Sequence, residues 1–144
     1  MKFVSFLLKG QAKFGITDGN NITDLTGKIK GAQTLKELIV NKSIQEAKEF
    51  SKKNPGKINQ EEIEYLPVIP NPGKIVCVGL NYSEHVKETG RTVEQNPVIF
   101  LRVPESQTAH KQPIQRPQVS ESLDYECEMA VSYTHLRAHE TDSY

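Results

Sequence analysis

The feature that most constrains the fold is an apolar segment that directly follows a proline-rich one. Residues Pro67 to Gly73 contain three prolines in seven positions, and proline continues neither a helix nor an interior strand. The next residues, Lys74 to Gly79, form a continuous apolar run that ends in glycine. Such a run is typical of a strand buried on both faces. We therefore predict a domain boundary near Pro67 and a buried strand directly after it.

The segment before this boundary has the pattern of a small β-meander followed by two helices. Asp18-Gly19-Asn20 is a hairpin turn sequence, because these residues tolerate positive φ angles. Predicted strands are Lys2–Leu8, Lys13–Thr17 and Asn21–Leu25. Two capping boxes then mark helix starts, Thr34 with Glu37 and Ser43 with Glu46. Asn54-Pro55-Gly56 is predicted to end the second helix.

The segment after the boundary is predicted to be rich in strands, with one short helix. Asn81 or Ser83 is a candidate N-cap for a helix through Thr89, and Gly90 is its expected C-terminal stop. Further strands are expected at Pro97–Arg102 and Leu123–Val131, separated by a long loop at Pro104–Pro117. The pattern as a whole predicts a β-rich fold of the α+β class.

Composition excludes some classes of partner. Lys plus Arg and Asp plus Glu number 18 each, so the net charge is zero and no overall field attracts nucleic acid or an anionic membrane. The apolar run Phe3–Leu8 is interrupted and too short for a signal peptide or a membrane span. Cys77 and Cys127 lie in apolar runs, which disfavours a disulfide framework. We expect a cytoplasmic protein that binds neither nucleic acid nor membrane.

Alternating carboxylates near the end of the chain form a candidate metal site. In a strand, residues two apart share a face, so Asp124, Glu126 and Glu128 point to one side. Adjacent members lie roughly 6.6 Å apart at the backbone, close enough for two glutamates to converge on one cation. Oxygen ligands favour Mg²⁺, Mn²⁺ or Ca²⁺ over zinc. The alternative is the solvated face of a half-exposed strand, and the spacing alone favours that alternative.

A histidine and a glutamate in the predicted short helix form a candidate catalytic pair. His85 and Glu88 are three residues apart and are therefore neighbours on a helix, where the carboxylate can orient the imidazole. Such a pair can deprotonate a water molecule. Taken alone, the spacing favours an ordinary surface pair. The pair follows directly after a predicted buried strand, where loops often line functional sites, and this position favours a catalytic role.

Several motifs in order and spacing make the chain resemble the fumarylacetoacetate hydrolase family. These motifs are the run from Pro72 to Gly90, Pro97–Phe100 before a basic residue, His110-x-Gln112-Pro113-Ile114 leading to Pro117, and Asp124–Glu128. The resemblance covers Pro67 to Val131. It implies a catalytic domain built as a mixed, twisted β-roll, usually dimeric. The segment 1–66 is similar to the small accessory domain that precedes this roll in many bacterial members.

The resemblance also implies roles for individual residues. It makes His85 and Glu88 the catalytic pair, and Glu126 and Glu128 the metal ligands. Tyr82 and Arg102 are implied to bind substrate, although many members have lysine where this chain has Arg102. The implied cofactor is Mg²⁺ or Mn²⁺, with Ca²⁺ as an alternative.

The implied activity is hydrolysis of a C–C bond in a small 2,4-diketo acid such as an acylpyruvate. His85 would activate the water, and the metal would stabilise the enolate that forms. A hydratase, isomerase or decarboxylase acting on related 2-oxo acids is the alternative within the class. The alternative from another class is an inactive fragment or a binding module. A complete member is expected to be a homodimer that binds a small 2-oxo acid.

The residues after Val131 have no regular pattern. Ser132 to Tyr144 does not continue the strand that the family would have at this place. A third acidic ligand and a lysine, which follow later in the family, are not found before Tyr144. We therefore predict three segments: an accessory domain at 1–66, the first part of the catalytic domain at 67–131, and a non-native tail at 132–144 of an apparently truncated chain.

Overall fold

The computed structural model describes residues 1–92, 96–123 and 125. By their internal contacts these residues form two compact units. The first unit contains Met1–Ile69 together with the chain from Thr108, and the second contains Pro70–Gln107. The predicted segments 1–66, 67–131 and 132–144 stay a prediction for the complete chain.

The first unit is built on an antiparallel sheet of five strands. Strands β1 (Lys2–Leu8) and β2 (Gln11–Thr17) form a hairpin with Leu8 opposite Gln11. The two turn residues, Lys9 and Gly10, have φ angles of 52° and 77°, which match the twist that a two-residue hairpin requires. The remaining strands are β3 (Asn21–Asp24), β4 (Ile58–Asn59) and β5 (Glu64–Tyr65), in the sheet order β4-β3-β2-β1-β5.

Two helices cover this sheet, α1 (Leu35–Val40) and α2 (Ile44–Lys53). The predicted capping box of α1 is confirmed, because the Glu37 amide donates to Thr34 Oγ1 at 3.2 Å and the Thr34 amide donates to the Glu37 carboxylate at 3.1 Å. The prediction of a second capping box, Ser43 with Glu46, is wrong, because Ser43 makes no side-chain capping hydrogen bond. Its φ and ψ angles of −91° and 19° are not the extended ones that a capping side chain needs.

The hydrophobic core of the first unit lies between the sheet and the helices. Phe14 and Ile16 of β2 pack there with Leu35 and Leu38 of α1 and with Ala47 of α2. Every one of these side chains is at most 3% exposed. The apolar stripes that predicted the two helices are therefore explained by packing.

The second unit contains a two-stranded antiparallel sheet and a short helix. Its strands are β6 (Ile75–Gly79) and β7 (Val98–Arg102), and its helix is α3 (Ser83–Glu88). The prediction that β6 is buried on both faces is wrong for the described residues, because Val76 is 55% exposed and Leu101 opposite it is 70% exposed. Two paired strands contact each other along their edges and do not cover each other's faces. Within the described residues, one face of this sheet is therefore open to solvent.

The remaining sequence predictions have mixed outcomes. The long loop is interrupted by a 3₁₀ turn at Pro104–Ser106, which begins at a proline as such turns often do. The predicted strand Leu123–Val131 lies almost wholly outside the described residues. A β-rich fold of the α+β class is confirmed, whereas the mixed β-roll stays a prediction. In the part of the chain that is described, no helix is long and apolar enough to span a membrane.

Candidate active site

The helix that carries the predicted catalytic pair has one well-defined end. At its C-terminus the Gly90 amide donates to the Lys87 carbonyl and the Arg91 amide donates to the Val86 carbonyl. With Gly90 at φ 65°, this is a Schellman motif, and the predicted glycine stop is confirmed. At the N-terminus the cap is Tyr82, not Asn81 or Ser83, and it makes no side-chain capping hydrogen bond. Val86 is the buried residue of α3.

The structure brings His85 and Glu88 together on α3. His85 Nδ1 lies 3.8 Å from Glu88 Oε2, which is an ion-pair distance for a protonated imidazole but too long for a hydrogen bond. Their side chains are 59% and 76% exposed. Because both are open to solvent, the pair in this arrangement can exchange protons with water.

A second ion pair on the same helix separates the charges of α3. Lys87 Nζ lies 2.9 Å from Glu84 Oε1, again with a spacing of three residues. Lys87 and Glu88 are adjacent in sequence and do not face each other on a helix, so the Glu84–Lys87 pair is separate from the His85–Glu88 pair. The sequence analysis did not single out this pair, although its i, i+3 spacing is a usable signal for a helix pair.

The connection from β6 to α3 contains an unusual backbone conformation. Leu80, directly after the last residue of β6, has a φ of 55°. A left-handed backbone at a bulky apolar residue is a genuine outlier, because the Cβ crowds the following carbonyl oxygen. Leucine offers no sequence signal for such a turn, so the sequence analysis missed it.

The two residues implied to bind substrate stand at different places in the second unit. Tyr82 is the N-cap of α3, one turn before His85, and its side chain is exposed. Arg102 pairs with Ile75 at the start of β6, whereas α3 follows the end of β6. These two ends are about 13 Å apart along the strands. The Arg102 guanidinium lies over the Phe100 ring at 5.7 Å from its centroid, within cation–π range.

The candidate metal ligands belong to the predicted strand Leu123–Val131. Glu126 and Glu128, like Asp124 beside them, lie outside the described residues. Among residues 1–92, 96–123 and 125, no group of three or more His, Cys, Asp or Glu side chains is arranged to hold a metal ion. The described part of the chain therefore supplies no complete metal site by itself.

Two open clefts of about 300 and 430 Å³ lie in the first unit. The smaller one is lined by strand ends around Thr17 and Thr23, and the larger one by β1, Tyr65 and His110. Of the predicted site residues that the structure describes, namely Tyr82, His85, Glu88 and Arg102, none lines either cleft. The candidate site is therefore indicated by the chemistry of the residues on α3 and not by a cleft.

Comparison with known proteins relates both parts of the chain to longer proteins. A mitochondrial oxaloacetate tautomerase of Xenopus laevis is 31% identical over 118 residues, which are 80% of this chain and 37% of the relative. A rat mitochondrial oxaloacetate tautomerase is 36% identical over 74 residues, covering 51% and 24%. An uncharacterized protein of Methanocaldococcus jannaschii is 42% identical over 60 residues, covering 42% and 25%. The chain thus spans between 24% and 37% of these relatives.

The second half of the chain also matches a family profile. Residues 74–142 match the family profile whose description is "Fumarylacetoacetate (FAA) hydrolase C-terminal". The matched residues include β6, α3 and β7, and with them His85, Glu88 and Arg102. The profile and the relatives together show that this chain belongs to the fumarylacetoacetate hydrolase family.

Proposed function

We propose that the protein is an enzyme of small 2-oxo acids in which His85 carries a proton at the reacting centre and Glu88 orients His85. Members of the family are enzymes, among them hydrolases and tautomerases. The observation that carries the proposal is the 3.8 Å approach of His85 and Glu88 on the helix that follows β6. Because both residues lie within the matched segment, the pair belongs to the family-related part of the chain.

The reaction that we favour is keto–enol tautomerisation of a 2-oxo dicarboxylate. The names of the Xenopus laevis and rat relatives support this choice, since both are oxaloacetate tautomerases. In the keto-to-enol direction a basic side chain takes a proton from the carbon beside the 2-oxo group and then donates a proton to the 2-oxo oxygen. The reverse reaction uses the same two transfers in the opposite order. A neutral imidazole can accept the proton, and the Glu88 carboxylate stabilises the imidazolium that results.

The second candidate is hydrolysis of a C–C bond in an acylpyruvate. It is supported by the sequence resemblance and by the exposure of His85, which lets water reach the imidazole. In this reaction His85 takes a proton from water, and the oxygen adds to the distal carbonyl. The C–C bond then breaks to give a carboxylic acid and the enolate of pyruvate, whose carbon takes up the proton from His85. Hydration or decarboxylation of related 2-oxo acids starts from the same kind of substrate.

A divalent metal is part of the proposal, because members of the family generally depend on one. We propose Glu126 and Glu128 as ligands, since paired carboxylates are donors that Mg²⁺ and Mn²⁺ prefer. When bound, such an ion would polarise the oxygen of a 2-oxo group. Every proton transfer described above is assigned to His85.

The test is a product analysis on the protein expressed from its gene. Oxaloacetate and an acylpyruvate are each incubated with the protein and Mn²⁺, and the keto, enol and cleaved species are quantified by proton NMR. We expect faster keto–enol interconversion of oxaloacetate, and a decrease of about 10²–10⁴-fold in the His85→Ala variant. Cleavage of the acylpyruvate with no effect on oxaloacetate would favour the hydrolase instead.

The matched control is Glu84→Gln, which breaks the other ion pair of α3 without touching His85. Its turnover should equal that of the unchanged protein. Turnover that survives in His85→Ala would refute the role of His85. If the unchanged protein neither turns over any 2-oxo acid nor binds Mn²⁺, the enzyme proposal fails and a binding module is the better interpretation.

A further inference from the structure

We infer that Leu80 is a positioning residue, whose left-handed backbone sets the direction in which α3 leaves β6 and so the place of the His85–Glu88 pair. The inference deepens the proposed function and rests on it for the catalytic meaning of that place. Its structural content, that the conformation of Leu80 orients α3, stands on the geometry of the second unit alone.

The left-handed conformation of Leu80 costs free energy, and leucine does not favour it. Of the four non-glycine residues with positive φ in the described chain, three are lysines and Leu80 is the apolar one. Such conformations persist when the surrounding structure imposes them, and they cluster at functional sites. Glycine would remove the cost at this position, yet the chain has leucine there, with its side chain half-buried.

The start of α3 has no side-chain cap, and the helix is short. Its N-cap Tyr82 makes no side-chain capping hydrogen bond. The helix has six residues and one buried side chain, Val86, at 4% exposure. A helix this short depends on tertiary context for its stability, so the backbone that joins it to β6 largely decides its direction.

The end of the strand before Leu80 is paired with β7. Gly79 pairs with Val98 of β7, and a Cβ at Gly79 would lie only 3.2 Å from Val98 Cγ1. The backbone at the end of β6 therefore lies tightly against β7. Leu80 is the first residue after this fixed point, and a change in its φ rotates everything that follows, including His85.

The test compares two variants that separate backbone from side chain. Leu80→Val keeps an apolar side chain, but a β-branched residue strongly disfavours the left-handed conformation. Leu80→Asn loses the apolar side chain, but asparagine adopts this conformation readily. If the backbone conformation positions α3, valine should be the damaging substitution and asparagine the tolerated one. If the leucine side chain matters, the order reverses.

Two readouts are measured on both variants. The first is the amide chemical shifts and hydrogen-exchange protection of His85 and Val86, which should change in Leu80→Val and stay near those of the unchanged protein in Leu80→Asn. The second is turnover of the better 2-oxo acid substrate. We expect kcat to fall about tenfold or more in Leu80→Val with KM little changed, because a small misplacement of a catalytic group is costly.

The control is Lys42→Val, which places the same β-branched residue at a φ of 56° in the first unit. It should lower stability without changing the amide signals of α3 or kcat. The inference is overturned if Leu80→Val leaves the α3 signals unchanged, or if Leu80→Asn alters them more. Absence of turnover in the unchanged protein would instead refute the proposed function, while the amide signals would still decide the role of Leu80.

Discussion

His85 Nδ1 and Glu88 Oε2 lie 3.8 Å apart on one turn of α3, while Lys87 on the same helix is held at 2.9 Å by Glu84. Two side-chain pairs with identical spacing thus lie on one short helix. This arrangement allows the contribution of the His85–Glu88 pair to be separated from the general effect of charge on the helix.

Replacing Glu88 by Gln should impair turnover far more than replacing Glu84 by Gln. Glutamine has nearly the same shape, but it cannot stabilise a protonated His85 electrostatically. We expect kcat to fall about tenfold or more in Glu88→Gln. This is smaller than the loss of about 10²–10⁴-fold that is typical when the general base itself is removed. Steady-state kinetics of the two variants tests this, and equal kcat values would contradict a special role for Glu88.

Glu126→Gln and Glu128→Gln should each weaken Mn²⁺ binding. Each substitution replaces a charged oxygen donor by a neutral amide, which hard divalent ions bind less well. We expect affinity to fall about tenfold or more, measured by isothermal titration calorimetry with Mn²⁺ alone. The control is Glu121→Gln, which makes the same change in charge at an exposed residue outside the alternating carboxylates. Equal losses in all three variants would indicate nonspecific attraction.

The ion pair of Lys13 and Asp24 should make stability depend on pH in the acid range. Burial alone would raise the pKa of Asp24, but hydrogen bonds from Lys13 and Thr26 outweigh burial and hold it below its usual 3.8. A lowered pKa in the folded protein contributes stability that is present above the unfolded pKa and is lost as pH falls through the folded pKa.

The expected result is therefore a free energy of unfolding that decreases below about pH 4. Asp24→Asn should flatten this decrease and cost about 0.2–1 kcal/mol at neutral pH, because the pair is partly exposed. Urea denaturation between about pH 2 and about pH 7 measures both effects. An unchanged acid slope in Asp24→Asn would show that other carboxylates dominate.

The two helix caps of the first unit should respond differently to alanine. Thr34 Oγ1 accepts a hydrogen bond from the Glu37 amide, so Thr34→Ala should lower the free energy of unfolding by about 1 kcal/mol. Ser43 makes no capping hydrogen bond, so Ser43→Ala should change it by less than about 0.5 kcal/mol. Thermal or urea denaturation of the two variants distinguishes them. A larger loss in Ser43→Ala would mean that the serine caps α2 in solution.

Leucines in the two units should also differ in their effect on stability. Leu38 is fully buried in the core, so Leu38→Ala should cost about 2–5 kcal/mol. Leu101 is 70% exposed, so Leu101→Ala should cost no more than about 0.5 kcal/mol. Urea denaturation measures both. A cost above about 1 kcal/mol at Leu101 would show that another surface covers this face of the β6–β7 sheet in solution.

The features that were predicted best from sequence are those that depend on only a few consecutive residues. The Asp18-Gly19-Asn20 turn, the Thr34–Glu37 capping box and the Gly90 stop each depend on contacts between close neighbours in the chain. The spacing of His85 and Glu88 likewise ensures that they meet on any helix. Family membership also came from sequence, because several short motifs occur in the family's order.

The features that sequence predicted poorly depend on distant neighbours. The apolar run of β6 indicated burial on both faces, yet exposure depends on which elements pack against the strand. Similarly, Ser43 has the right partner three residues later, but the tight connection from α1 gives it the wrong backbone angles for capping.

By itself, then, the sequence determined the local elements, the family and the identity of the residues on α3, because each is encoded by side chains a few positions apart. Only the tertiary structure decided that one face of β6 is left open by the described residues, that Arg102 stands at the other end of its sheet from α3, and that Leu80 is left-handed. The physical reason is that burial and backbone strain depend on packing between segments distant in sequence, and packing overrides the preference of the single residue.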